Sequence, residues 1–301
     1  MANKTQRTLA TLLLSAVAIL FFVGGPKETT LPSLGYLWNL GHIGFFFCTV
    51  SVLLQYRSLR TSMHIWLLCA VVLAISLCIE SIQFFIGRSF SLVDICRNLL
   101  GTTAALWFFG KTKIPYTITG AAILIALSDL TGFSKTLYSD YHIFRMAPVL
   151  EDFESGSTMS RWEGEISRDT SQVYSGNYSG KIILPVRKYS GATLTFPFRD
   201  WSAYKTLEMR IYNPDTQIME MTLRINDEVH ELSEEQHFYD RFNTKLKLQP
   251  GWNTITIALE DIKTAPLKRD MDMSKIVRLV WFIGEPQKPA EMYLDDLKLT
   301  N

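Results

Sequence analysis

Cysteine stops at Cys96. The four in the chain, Cys48, Cys69, Cys78 and Cys96, all lie in apolar runs. The polar second half therefore has neither a disulfide framework nor a cysteine-based metal site, and the four thiols read as small apolar fillers. Acids are scarce in the first half: before residue 140 there are only Glu28, Glu80, Asp94 and Asp129, against ten Lys and Arg. The second half reverses the balance, with twenty Lys and Arg to twenty-five acids, a net of about five negative charges. Nucleic acid is excluded as a partner, because its polyanionic backbone is bound by basic faces. The sequence also has no Ser nucleophile motif, no phosphate-cradling Gly-rich loop and no metal-binding His cluster.

What it does have is grease, all on one side. Apolar runs cover 8–23, 35–55, 64–86, 92–109 and 114–131. A membrane span takes about 20 such residues, with a range of about 17–25. Lys4 and Arg7, Arg57 and Arg60, then Lys111 and Lys113 recur at every second connection, which places those connections in the cytoplasm. The expectation is an α-helical membrane domain of about five transmembrane helices over 1–135, then a linker over 136–148. The amino terminus is cytoplasmic and the carboxyl-terminal domain extracytoplasmic. Gly24-Gly25-Pro26 ends the first run without a convincing cleavage site, so that run reads as a retained anchor.

Inside the grease runs one polar line: His42, Glu80-x-x-Gln83, Arg88, then Asp94-x-x-x-Asn98-x-x-Gly101. An ionisable side chain costs roughly 2.5–3.5 kcal/mol at a helix centre on insertion scales, so its retention points to a site. Spacings of three and four put each set on one helix face. Counted from the outer ends of their spans, His42, Glu80 and Asn98 all come roughly 9–10 Å deep at about 1.5 Å of rise per residue. Gly41, Gly44 and Gly101 are small enough to let the helices approach closely.

This pattern resembles the VanZ-like family of small membrane proteins over about residues 34–109. The resemblance implies a His in one span and the Glu, Gln, Arg, Asp, Asn and Gly across the next two. One position departs from the family: members often carry Asp-Lys shortly before the His, where this chain has Asn39-Leu40. The family takes its name from a teicoplanin-resistance protein. Resistance is the least transferable implication, because the second half is an addition to the family pattern.

From Val149 the period changes to two. Leu207/Met209/Ile211, Met219/Met221/Leu223/Ile225, Leu246/Leu248 and Val277/Leu279/Trp281 alternate with polar neighbours, and Ser175-Gly176-Asn177, Asn213-Pro214-Asp215 and Pro250-Gly251 punctuate them. About ten short strands of this kind predict an all-β antiparallel jelly-roll sandwich over 149–301. Glu151-Asp152-Phe153-Glu154, Val173–Gly180 and Tyr293-Leu294-Asp295-Asp296 resemble carbohydrate-binding modules with a galactose-binding-like fold. That resemblance implies a structural calcium on Glu154 and Asp295, calcium being a taker of hard oxygen ligands. No other cofactor is expected. Tyr204, Tyr212, Tyr239, Trp252 and Trp281 are candidates for stacking on sugar, with Tyr239 and Trp281 put forward as ligand-binding. Sheet burial explains strand aromatics equally well.

Three functions compete. In the first, Glu80 and His42 trade a proton in a catalytic site. Arg88 holds an anionic group with its planar fork, Asn98 and Gln83 orient by hydrogen bonds, and Asp94 is a further catalytic candidate near the mouth. The substrate would be a lipid-linked glycan, a lipid headgroup or a glycopeptide-type ligand. The second is a non-catalytic, membrane-anchored glycan-binding or scaffold protein, with membrane lipids and envelope saccharide as partners. In the third the polar line only fixes helix register.

Overall fold

The computed structural model describes residues 31–56, 62–86, 90–110, 113–195 and 197–301, and it divides into two compact units, Met1–Leu137 and Tyr138–Asn301. The first apolar run, Arg88 and Phe196 lie outside the described residues.

The first unit is helical: α1 Pro32–Tyr56, α2 Ser62–Phe85, α3 Leu92–Phe109 and the greater part of α4 Tyr116–Met146. The α3 helix starts where Ser91, extended, accepts a hydrogen bond from Asp94 N at 3.2 Å, which satisfies one of the orphan donors of the first turn. Helices α1 and α3 pack closely because residue 101 is glycine: a Cβ there would stand 2.2 Å from the Ile43 carbonyl oxygen. Gly41 and Gly44 have no such neighbour, so of the three glycines only Gly101 fits the close-approach reading. Among the described residues three helices are long and apolar enough to cross a membrane: Pro32–Gln55, Met63–Phe85 and Tyr116–Met146. Leu92–Phe109 has only 18 residues and carries Asp94 and Arg97. The segment read as a linker over 136–148 is helical as far as Met146, so α4 runs well past the apolar run that announced it.

The second unit is a sandwich of two antiparallel sheets. Its strands are β1 Val149–Glu151, β2 Trp162–Gly164, β3 Ile166–Asp169, β4 Ser179–Leu184, β5 Tyr189–Thr195, β6 Thr206–Asn213, β7 Met219–Asp227, β8 Phe242–Leu248, β9 Gly251–Ala258, β10 Ile276–Gly284 and β11 Ala290–Thr300. The first sheet has the order β3-β4-β11-β6-β9, with β1 also on β11; the second has β2-β5-β10-β7-β8. The period-two alternation read from the sequence is the inward row of each strand. Leu207, Met209 and Ile211 of β6 face Leu223, Ile225, Leu279 and Trp281 across one continuous core. Each such side chain, fully buried, stabilises by roughly 1.5–3 kcal/mol. Phe153, Trp162 and Trp281 stack in series at the centre, with centroids 5.5 and 5.6 Å apart.

Beneath that stack lies a buried carboxylate. Glu151 accepts from Phe153 N, Thr158 Oγ1 and Trp162 Nε1, each at 3.0 Å, with Arg161 3.9 Å away. Burial drives its pKa up although Arg161 and these donors oppose the shift. The group therefore anchors the entry of the chain into the sandwich.

Candidate functional site

The alternation that fills the core leaves the other face of the second sheet to be decided by register. Val280 of β10 lies opposite Thr193 of β5 on one side and Arg224 of β7 on the other, and Arg224 is in turn opposite Asn243 of β8. In the next row Phe282 lies between Gly191 and Thr222, and Thr222 is opposite Lys245. These residues floor an open cleft of about 750 Å³. Tyr189, 64% exposed, stands at one side, its ring edge-on to Phe282 at 5.8 Å. Gly191 is required beside them: a Cβ there would be 1.9 Å from the Trp281 carbonyl oxygen and 2.7 Å from Phe282 Cα.

The far wall is a loop. After β7 the chain makes a short helix, Glu228–Glu231, and then a 3-10 turn, Phe238–Asp240, which brings Phe238 and Arg241 to the cleft. Arg269 fastens it, donating to both oxygens of Asp227 at 2.5 and 2.8 Å and to Asp240 Oδ1 at 2.7 Å. His230 Nδ1 meets Asp240 Oδ2 at 3.3 Å. The Arg269 bond holds the Asp240 carboxyl below its usual range. Burial lowers the His230 pKa, outweighing Asp240, so the imidazole stays neutral.

The predicted sugar-stacking residues fare unevenly. Trp281 is a correction: it is 0% exposed, its ring stacked on Trp162 and its Nε1 directed at Met209 Sδ, so it offers no face to a ligand. Strand parity decides this, since Phe282, the next residue, is the one that points outward. Tyr239 is 66% exposed and edge-on to Phe238 at 5.3 Å, but Phe238 rather than Tyr239 lines the cleft. Tyr212 and Trp252 sit together at 5.3 Å on the outer face of the first sheet, where Tyr174 and Tyr293 join them. Tyr204 packs beside the core against Phe198.

Glu154 and Asp295 converge on one loop, that between β3 and β4. Glu154 Oε1 accepts from Asn177 N and Tyr178 N at 2.8 and 2.9 Å, and Asp295 Oδ2 from Tyr174 N and Ser175 N at 2.8 and 3.0 Å. The second oxygens take Asn177 Nδ2 and Asp296 N. Among the described residues no group of three His, Cys, Asp or Glu gathers as a metal would need. Carboxylates turned toward N–H donors are not the oxygen cage that calcium takes. In this arrangement they do not fit the ion and act as loop anchors.

In the helical unit the polar line does come together. His42 Nδ1 and Asn98 Oδ1 are 3.0 Å apart, Asn98 Nδ2 donates to Ser76 Oγ at 2.9 Å, and His42 Nε2 is 3.9 Å from Asp94 Oδ2. Glu80 Oε2 accepts from Ser91 N at 2.8 Å, tying α2 to the cap of α3. Gln83 is buried with them. Arg97 was not among the predicted site residues, yet it is the hub: it donates to Asp94 at 2.7 Å and to Asp129 of α4 at 2.5 and 3.1 Å, with Tyr36 across its plane. Its signal in the sequence was its place three residues after Asp94. The cleft residues Arg224, Arg241, Asn243 and Phe282 were missed altogether: Arg224, Asn243 and Phe282 lie on the outward face of strands read for their inward face, and Arg241 comes from the loop before β8.

A two-sheet antiparallel sandwich with an open cleft, aromatic at its edges and rich in hydroxyl, amide and guanidinium groups, is the build of a carbohydrate-binding module. Residues 140–301 match the family model described as Carbohydrate binding domain 30, and the chain belongs to that family. Among solved structures, the family 11 carbohydrate-binding module from Clostridium thermocellum, in complex with a β-1,3-1,4-mixed-linked tetrasaccharide, is 15% identical, with 51% of this chain and 94% of that one covered and a TM-score of 0.36. The family 30 module of a cellulosomal cellulase of the same organism is 20% identical, with 51% and 92% covered and a TM-score of 0.37. An exo-β-agarase is 14% identical, over 50% of this chain and 24% of its own, with a TM-score of 0.40. No curated protein matches the chain.

Proposed function

We propose that this is a membrane-anchored glycan-binding protein, whose sandwich holds an envelope saccharide in the cleft over the second sheet. The observation that carries the reading is the cleft itself. Its volume of about 750 Å³ suits a few sugar rings, and Phe282 and Tyr189 offer apolar faces among hydroxyl and amide groups. The helical unit is the anchor. Leu67, Phe84, Phe85, Trp107, Leu124 and Leu130 are large, apolar and exposed on its helices, a surface for which lipid is the natural cover. The anchor sits in the cytoplasmic membrane with the sandwich on the extracytoplasmic side, as the Lys and Arg pattern of the connections implies.

The test is retention of the full chain, in a neutral detergent, on insoluble envelope and plant polysaccharides, beside a Phe282→Ala/Asn243→Ala variant. Retention by the parent and its loss in the variant support the reading. Equal retention of both puts the glycan elsewhere, and the outer face of the first sheet, with Tyr212 and Trp252, is then the place to substitute.

A second reading concerns the VanZ-like polar line, and the burial of both His42 and Glu80 favours it. In it, that cluster acts on, or holds, a lipid-linked glycan or a lipid headgroup. Glu80→Gln and His42→Ala, each at normal membrane levels and each abolishing the same phenotype, would support a site. Reduced protein levels alone would assign the cluster to holding α1, α2, α3 and α4 together.

A further inference from the structure

The cleft is cationic, and nothing inside it balances the charge. Arg224 and Lys245 rise from the sheet and Arg241 from the loop, and no Asp or Glu lines the cleft with them. Two acids outside the cleft already have cations of their own: Glu231 of the short helix pairs with Arg278 at 3.0 Å and Glu220 of β7 with Lys247 at 3.5 Å. Among the described residues Arg224, Arg241 and Lys245 form no ion pair. Arg224 Nε donates to Asn226 Oδ1 at 3.0 Å, a neutral partner. Arg241 Nε and Ser190 Oγ are buried without a hydrogen-bond partner.

Such an arrangement is unfavourable in the free protein. A buried donor left unmade keeps its full desolvation cost, and like charges gathered in one cleft repel. Burial, and then the Arg241 charge, hold the Arg224 pKa down against the opposing charge of Glu231. A ligand bringing oxyanions would relieve both terms, because the planar guanidinium fork matches a carboxylate through two parallel hydrogen bonds. Neighbouring Phe282 and Tyr189 mean that the anion arrives on a body with apolar faces, as a sugar ring has.

We propose that the cleft selects an acidic polysaccharide, one whose sugar rings carry carboxylates or other oxyanions, over a neutral one. This rests on the reading of the cleft as the glycan site and narrows it. Arg224 and Arg241 are the anion-binding residues, Lys245 adds long-range attraction, and Phe282 supplies the ring contact.

The experiment is affinity electrophoresis of the full chain in neutral detergent against four soluble polymers: polygalacturonate, dextran sulfate, a neutral mixed-linked β-glucan and poly-glutamate. The expected result is retardation by polygalacturonate at least tenfold stronger than by the neutral glucan, weakening as salt is raised. Arg224→Gln and Arg241→Gln should each weaken it tenfold or more, and Lys247→Gln, whose cation is already paired outside the cleft, by less than twofold. Retardation by dextran sulfate but not polygalacturonate supports the proposal with sulfate as the oxyanion. Binding of the neutral glucan alone overturns the charge selection and leaves the glycan reading standing. Binding of no saccharide overturns both. Poly-glutamate bound as tightly as polygalacturonate also overturns the proposal, since the cleft would then read charge without sugar. Circular dichroism of each variant separates lost binding from lost fold.

Discussion

Trp281 and Phe282 are neighbours on β10 that face opposite ways, and replacing each with alanine should produce opposite failures. Trp281 is fully buried, stacked on Trp162 with centroids 5.6 Å apart and packed on Met209. Truncating a buried Phe or Trp to Ala costs about 3–5 kcal/mol, the transfer term plus a cavity that the surroundings only partly fill. For a domain of this size each kcal/mol moves Tm by about 2–4 °C, so Trp281→Ala should lower the sandwich transition by roughly 6–20 °C. At low temperature, where the domain is still folded, binding should survive. Phe282 is half-buried on the cleft floor with Tyr189 as a ring neighbour. Its loss should move Tm by less than about 4 °C, an exposed-side change of about 1 kcal/mol or less. Glycan affinity should fall about tenfold, which corresponds to roughly 1.4 kcal/mol of lost contact. Intrinsic fluorescence against temperature gives the first number and affinity electrophoresis the second. The reasoning is refuted if Trp281→Ala leaves Tm unchanged and abolishes binding, because the indole would then be a ligand contact and the inward row assigned to the wrong face.

The loop that carries Phe238 and Arg241 should loosen in acid. His230 has a folded pKa below its ordinary 6.5, so its contribution is complete above that value and is lost as pH falls through the folded one. Asp240, also lowered, keeps its contribution above its ordinary 3.8 and loses it further down. Tm should be flat above about pH 7 and decline below about 6, and His230→Gln should remove the upper step; a decline beginning on the alkaline side would contradict the assignment. Gly101→Leu should unseat α1 from α3, since even a Cβ meets the Ile43 backbone, while Gly44→Leu, in open space, should be accepted; membrane levels of the two variants measure this. Calcium at Glu154 and Asp295 is checked by Tm with and without excess calcium. An unchanged value fits loop anchoring, and a rise of several degrees restores the cation.

Much of the architecture was legible because burial imposes a period. Leu207/Met209/Ile211 and Val277/Leu279/Trp281 could alternate only if one face of each strand was dry, and all of these are buried. The same signal misled at Trp281: an aromatic in a strand is informative only once its parity is fixed, and parity had already assigned that residue to the core. Functional residues on a sheet face escape detection for a related reason. Arg224 and Asn243 are opposite each other only because β7 and β8 pair in one register, and no spacing along the chain encodes that pairing. The end of α4 was hidden differently. Its last turns are polar, so apolar content stops announcing a helix that backbone hydrogen bonds continue to Met146.

The polar line was readable for the opposite reason: in an apolar segment a polar residue has few alternatives to a neighbour of its own kind. His42 and Asn98, expected at one depth, meet across two helices, and Asp94, which was expected above them, comes within 3.9 Å of His42. Depth could not say how charge would be settled. Arg97 is paired with Asp94 and Asp129, so it is neutralised within the protein, whereas Arg224 and Arg241 in the cleft form no ion pair among the described residues. Two clusters of similar composition therefore have opposite prospects. A cation already bonded to two carboxylates gains little from an incoming anion, because new bonds replace old ones. A cation held half-buried without a carboxylate gains a full charge-assisted bond. Replacing Arg97 with Lys should thus weaken the helical unit, as a point charge cannot serve both acids in the fork geometry, and leave glycan retention unaltered. Replacing Arg224 with Lys should leave the sandwich folded and lower its affinity for polygalacturonate. If Arg97→Lys instead reduced polygalacturonate binding at unchanged protein levels, the helical cluster would have to be counted as part of the saccharide site.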